Sequence, residues 1–188
     1  KNLMSKAIRI SLPHADAPFF RGLHILVALM ILAQIINSNF TEREALDEKG
    51  LTSIITWMHV ISGFSLIVLG VIMLGWMLAQ RGARYYFSWL HFDFSDIAQD
   101  IATLKRLRLP EAHSGGIAAT IQGLGVLSLL GVALSGGIWF LLNAAQNPLA
   151  HSVIHWHKNL TTFVEIYFFA HGAMGLLHIF LNSKLFQR

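Results

Sequence analysis

Four long apolar runs, each close to the length that crosses a bilayer, govern what this 188-residue chain can fold into. They cover about residues 19–36, 54–78, 117–142 and 160–181, the last with an extra helical turn or so before it. A span needs about 20 mostly apolar residues. Inside hydrocarbon every backbone polar group must be bonded within the protein, which leaves helices or closed barrels. Runs this long predict helices. The expected fold is all-α: a four-transmembrane-helix bundle forming one membrane-embedded domain over residues 1–188, with lipid as its main partner. Composition agrees, at 54 % hydrophobic and 13 % charged, against about 25 % charged in an ordinary soluble domain.

Four spans put both termini and the connection between helices 2 and 3 on one side, here side A, and the other two connections on side B. Side A then holds Lys1, Lys6, Arg9, Arg21, Arg81, Arg84, Lys105, Arg106, Arg108, Lys184 and Arg188, eleven of the fourteen basic residues, and side B keeps Arg43, Lys49 and Lys158. By the positive-inside rule side A, with both termini, is cytoplasmic. The basic segment before span one has no apolar core of its own and reads as a flank, not a cleaved signal peptide. The net charge of +4 forms no basic stripe with aromatic platforms, which argues against nucleic acid as a partner. Between spans two and three, spacings of three and four from Phe94 onward predict an amphipathic helix on the cytoplasmic face, closed by Pro110, as an anchor or a cover.

The chain has no cysteine and ten histidines. Thiolate metal sites, iron–sulfur clusters and covalent c-type haem attachment are thereby excluded. Polar rings inside a membrane need partners. A six-coordinate b-type haem takes one imidazole from each of two helices, so its ligands should come in pairs at matching depth. His24 lies near the side-A start of span one and His59 near the side-B start of span two. On span four, His157 and His171 are fourteen residues apart, within about 40° of one helix face and about 21 Å apart along the axis. His151 and His155 point about 160° away from that face. His178 returns to the face, but pairing it with His157 would set two irons about 31 Å apart, the whole hydrocarbon thickness. The expected iron ligands are therefore His24 with His171 on side A and His59 with His157 on side B, holding two haem b.

The stretch Trp57-Met58-His59-Val60-Ile61-Ser62-Gly63 and the 14- and 7-residue intervals from His157 through His171 to His178 resemble the bacterial cytochrome b561 family. Its wider relatives are the cytochrome b subunits of nickel–iron hydrogenases and formate dehydrogenases. The resemblance covers roughly Phe19 to Phe186 and implies the same four axial ligands, a place for His178 where quinone meets the side-A haem, and the bacterial inner membrane. Span three has no His and is rich in Gly, and the preceding loop lacks the proline-rich pattern of small bacterial members, so the chain looks closer to the hydrogenase-type relatives.

Arg21, one turn before His24, and Lys158, beside His157, are the expected cations for haem propionates. Glu165 lies between the two haem levels and is expected to be neutral and hydrogen-bonded to Thr161 or Thr162. Span-three glycines, with Gly63, Gly70, Gly172 and Gly175, would let helices or a flat porphyrin approach. The function expected is electron transfer across the membrane between the quinone pool and a periplasmic redox partner, with a second copy of the chain as another partner. The alternative is a superoxide:quinone oxidoreductase; a haem-free metal transporter ranks last.

Overall fold

A computed structural model describes residues 17–182, and every regular element among them is helical. Helix α1 spans Pro18–Asn37, α2 Leu51–Arg81, α3 Ser95–Lys105, α4 Ile117–Ala144 and α5 Leu149–Asn182. The four longer helices are each long and apolar enough to cross a membrane. Pro18 opens α1, where its missing N–H takes nothing from the helical ladder. Gly82 ends α2 at a φ of +81°, a backbone conformation that side chains rarely adopt. Lys1, Lys6, Arg9, His14, Lys184 and Arg188 lie outside the described residues.

The largest departure from expectation is the start of α5, eleven residues before the apolar run. Its first turns carry His151, His155, His157, Lys158 and Asn159, which lower hydropathy without breaking a helix. Asn147 Oδ1 accepts the Leu149 N–H at 3.0 Å and caps the first turn. At 34 residues, or about 51 Å, α5 is longer than a hydrocarbon core of about 30 Å. Its polar first turns therefore have room beyond the apolar layer.

Helix α1 packs on α2, α2 on α4, and α4 on α5, so α4 is the central partner. Leu23, Val27, Leu66, Met73, Val126 and Leu129 join α1, α2 and α4 in one core. On the outside, Leu29, Ile61, Ile166 and Leu176 are 61 %, 61 %, 66 % and 69 % exposed. Leu134, Ile138 and Leu141 of α4 are exposed as well, and large apolar side chains facing outward on all four long helices need lipid around them.

The connection from α2 to α4 is tied down by one carboxylate. Helix α3 turns Asp96, Ile97, Asp100 and Thr103 toward the protein and leaves Phe94, Ile101, Leu104 and Leu107 exposed. It ends at Lys105, short of Pro110, because Leu107 takes a left-handed φ of +57°. Asp100, only 3 % exposed, accepts the Ile117 N–H at 2.8 Å in the first turn of α4 and the His113 Nε2–H at 2.6 Å. Gly116 makes this approach possible, since a Cβ there would lie 2.6 Å from Asp100 Oδ2. The contact caps α4 from another helix, where a carboxylate also meets the positive end of the helix dipole.

Burial alone would raise the Asp100 pKa, but the His113 and Ile117 hydrogen bonds and the His113 charge together hold it below 3.8. The Asp100 hydrogen bond holds His113 above 6.5, against the opposing effect of burial. Stability from Asp100 is present above pH 3.8 and lost as pH falls through its depressed value. Stability from His113 is present below pH 6.5 and lost as pH rises through its elevated value. Thermal melts of the purified protein should therefore show this contribution greatest between about pH 4 and 6.5. Asp100→Asn should flatten that dependence; an unchanged pH profile would reject the clamp.

Candidate functional site

Helices α1 and α2 run antiparallel, so His24 near the start of one and His59 near the start of the other stand at opposite ends of the bundle. Helix α5 faces both. The His24 and His171 rings have centroids 5.9 Å apart at an interplanar angle of 55°. The His59 and His157 rings are 6.5 Å apart at 78°. One metal between two imidazoles needs two bonds of about 2 Å and about 1 Å more from each nitrogen to its ring centre, or about 6 Å in all. Both pairs have that spacing, and α5 separates them by about 21 Å.

The side-B pair lines a cavity of about 850 Å³ between α1, α2, α4 and α5. Its wall is largely apolar near the rings, with Ile31, Phe64, Leu129 and Ala133, and turns polar outward at Asn143, Gln146 and Asn147. The cavity fits a flat, mostly apolar group with a polar edge. Asn143 Oδ1, buried in that wall, has no protein partner.

The protein's hydrogen bonds to both side-B imidazoles use Nδ1. His59 Nδ1 lies 2.8 Å from Asn37 Oδ1. His157 Nδ1 donates to the Val132 carbonyl at 2.9 Å, with Ser135 Oγ at 3.0 Å. With Nδ1 engaged, Nε2 of each ring carries the lone pair that a metal would take. Gly136 makes the seat for His157, because a Cβ there would lie 2.9 Å from Cε1 of the ring.

On side A the support is aromatic. Tyr167 stacks on His171 with centroids 5.3 Å apart and planes at 16°. The Tyr167 hydroxyl donates to the Ile121 carbonyl at 2.9 Å, so the stack is anchored to α4. Gly125 leaves room for that phenol. Phe20 stacks on His24 at 6.4 Å and 26°.

Of the other residues singled out, Lys158 is exposed and lines the side-B cavity with Arg43. Arg21 is half-buried one turn before His24, and His178 is exposed toward the end of α5. His151 and His155 are exposed and touch each other at 4.9 Å. Glu165 lines the cavity, but its expected partners are engaged elsewhere. Thr161 and Thr162 donate to the Lys158 carbonyl at 2.6 and 3.3 Å, the backbone bond that helical hydroxyls favour. Gly70 packs against Leu130, and Gly172 and Gly175 have no neighbour within 4 Å, so the first serves helix packing.

Asn37, Gln34, Ser135 and Tyr167 were not singled out as supports. A signal existed for three of them: Tyr167 is one turn before His171, and Gln34 and Asn37 repeat at a spacing of three on an apolar helix. Among the described residues no three His, Asp or Glu side chains converge as a metal-ion site. The histidines meet in twos.

The prokaryotic cytochrome b561 family profile matches residues 17–188. No curated protein and no solved structure matches the chain. With four membrane-crossing helices and paired histidines already in place, that match makes the chain a member of the prokaryotic cytochrome b561 family, b-type cytochromes of bacterial membranes that carry electrons.

Proposed function

We propose that the chain holds two haem b and carries electrons across the inner membrane, between quinone on a cytoplasmic side A and a redox protein on a periplasmic side B. The observation that carries this reading is the pair of histidine pairs, 5.9 and 6.5 Å apart, at opposite ends of one bundle. Haem, when bound, would supply one-electron chemistry. His24, His171, His59 and His157 bind and orient it, and the apolar wall around the side-B pair excludes water. Lys158 and Arg21 are the cations for propionates at the two ends.

Arg21, Arg81, Arg84, Lys105, Arg106 and Arg108 gather on side A, which supports a cytoplasmic placement of that face. The exposed Ile101 and Leu104 of α3, with Phe94 and Leu107 just beyond its ends, then suit the headgroup boundary of the same leaflet. His178, one face and seven residues beyond His171, is the candidate contact for quinone. The superoxide alternative ranks second, because Arg43 and Lys158 share the side-B cavity with Glu42 and Glu165. That balance offers an anion no positive funnel.

In vesicles containing the purified protein, a quinol should reduce the haem, and His178→Ala should slow that reduction with haem content unchanged. Reduction as fast in the variant as in the parent would remove His178 from the quinone contact. No reduction of the parent by any quinol would reject quinone as the side-A partner.

A further inference from the structure

We propose that Gln34 and Asn37 are positioning residues that decide which nitrogen of His59 is offered to the cavity. The inference rests on the haem reading above, but it starts from a group whose role cannot change. The backbone carbonyl of His59 only accepts hydrogen bonds. The Gln34 side-chain atom 2.8 Å from it is therefore the amide nitrogen, donating. That orientation turns Gln34 Oε1 toward Asn37, where it accepts from Nδ2 at 3.3 Å. Asn37 Oδ1 is then the atom left facing His59 Nδ1 at 2.8 Å. An amide oxygen only accepts, so the proton sits on Nδ1 and the lone pair on Nε2. Reversing either amide would set donor against donor or acceptor against acceptor.

The two amides thus form a closed relay that starts and ends on His59. The partner ligand is held differently: its Nδ1 donates to the Val132 backbone carbonyl, which no side-chain substitution removes, with Ser135 Oγ beside it at 3.0 Å. His171 is held by an aromatic stack. Asn37 therefore addresses one ligand of the four. An acceptor on Nδ1–H makes Nε2 a stronger donor to a metal and favours the more positive oxidation state. Removing the acceptor should raise the reduction potential at side B, and a carboxylate in its place should lower it.

The test uses the full chain loaded with haem, with optical redox titration and haem content measured for Asn37→Leu, Asn37→Asp and Gln34→Leu. The side-B signal is the one lost in His59→Ala. Asn37→Leu should shift that signal to higher potential and weaken haem retention there about 10–100-fold. Asn37→Asp should shift it lower and restore retention, and Gln34→Leu should give a smaller upward shift. The side-A signal should stay in place throughout. Shifts of one sign in both Asn37 variants, equal shifts of both haems, or no shift would overturn the relay. A parent protein that binds no haem would reject the haem reading itself, whereas two haems with unmoved potentials would reject only the relay.

Discussion

His59→Ala and His157→Ala should each cost the protein one haem, the same one, and His24→Ala and His171→Ala should each cost the other. Each single variant should keep about half the parent's haem, because loss of one imidazole leaves one axial ligand and a destabilised site. The double variant His59→Ala/His157→Ala should lose no more than either single one, since residues acting as a unit are not additive. The double variant His24→Ala/His59→Ala should lose both. Haem content and the reduced-minus-oxidised spectrum check all of these. Full haem in His59→Ala and in His171→Ala would break the pairing.

Gly136→Val should reproduce the His157→Ala result without touching a ligand. A Cβ at Gly136 lies 2.9 Å from Cε1, 3.2 Å from Nδ1 and 3.5 Å from Nε2 of His157, so the ring must move. It cannot slide away cheaply, because Nδ1 is bonded to the Val132 carbonyl one turn earlier on the same helix. Overpacking of this kind costs about 1–3 kcal/mol, and here the displaced group is the proposed iron ligand. The control is Gly131→Ala, whose Cβ would meet only Leu160 Cδ1 at 3.9 Å. That variant should keep both haems and melt no lower than the parent, since Ala favours a helix over Gly by about 1 kcal/mol. Equal loss of haem in the two variants would show that α4 tolerates no added side chain, and the specific clash would be rejected.

The two predictions rest on features that differ in how far they can be read along the chain. Helix phase is a local property: fourteen residues place His157 and His171 on one face whatever surrounds them, and each meets the partner expected by depth. The four helices were legible for the same reason, because length and apolarity are carried within each run. The start of α5 was not, because hydropathy fades at His151–Asn159 while helix geometry does not. Contacts that cross the fold left little trace. Asn37 meets His59 across 22 residues and Asp100 meets Ile117 across 17, and only the antiparallel packing of α1 on α2 and the return of α3 to α4 bring them together. Among the described residues Glu165 makes no threonine bond, while both threonine hydroxyls donate to the Lys158 carbonyl one turn back.

The span-three glycines show a similar division. Their number announced close approach, but not to what. Gly123 admits Phe87, Gly125 admits Tyr167, Gly136 admits His157 and Gly137 admits Phe64 and Ile67. Gly125 and Gly136 therefore shape the histidine sites, Gly123 serves the core, and Gly137 does both, since Phe64 lines the side-B cavity while Ile67 packs on the core. A glycine count cannot make that distinction, since each outcome depends on which helix lies opposite.

The most direct measurement is the haem-to-protein ratio of the purified chain, taken with its reduced-minus-oxidised absorption spectrum. Two paired-histidine sites predict two b-type haems per chain, both six-coordinate and low-spin, with a reducible Soret band and α band. A chain that binds no haem, or one whose haem is five-coordinate and high-spin, would contradict the account.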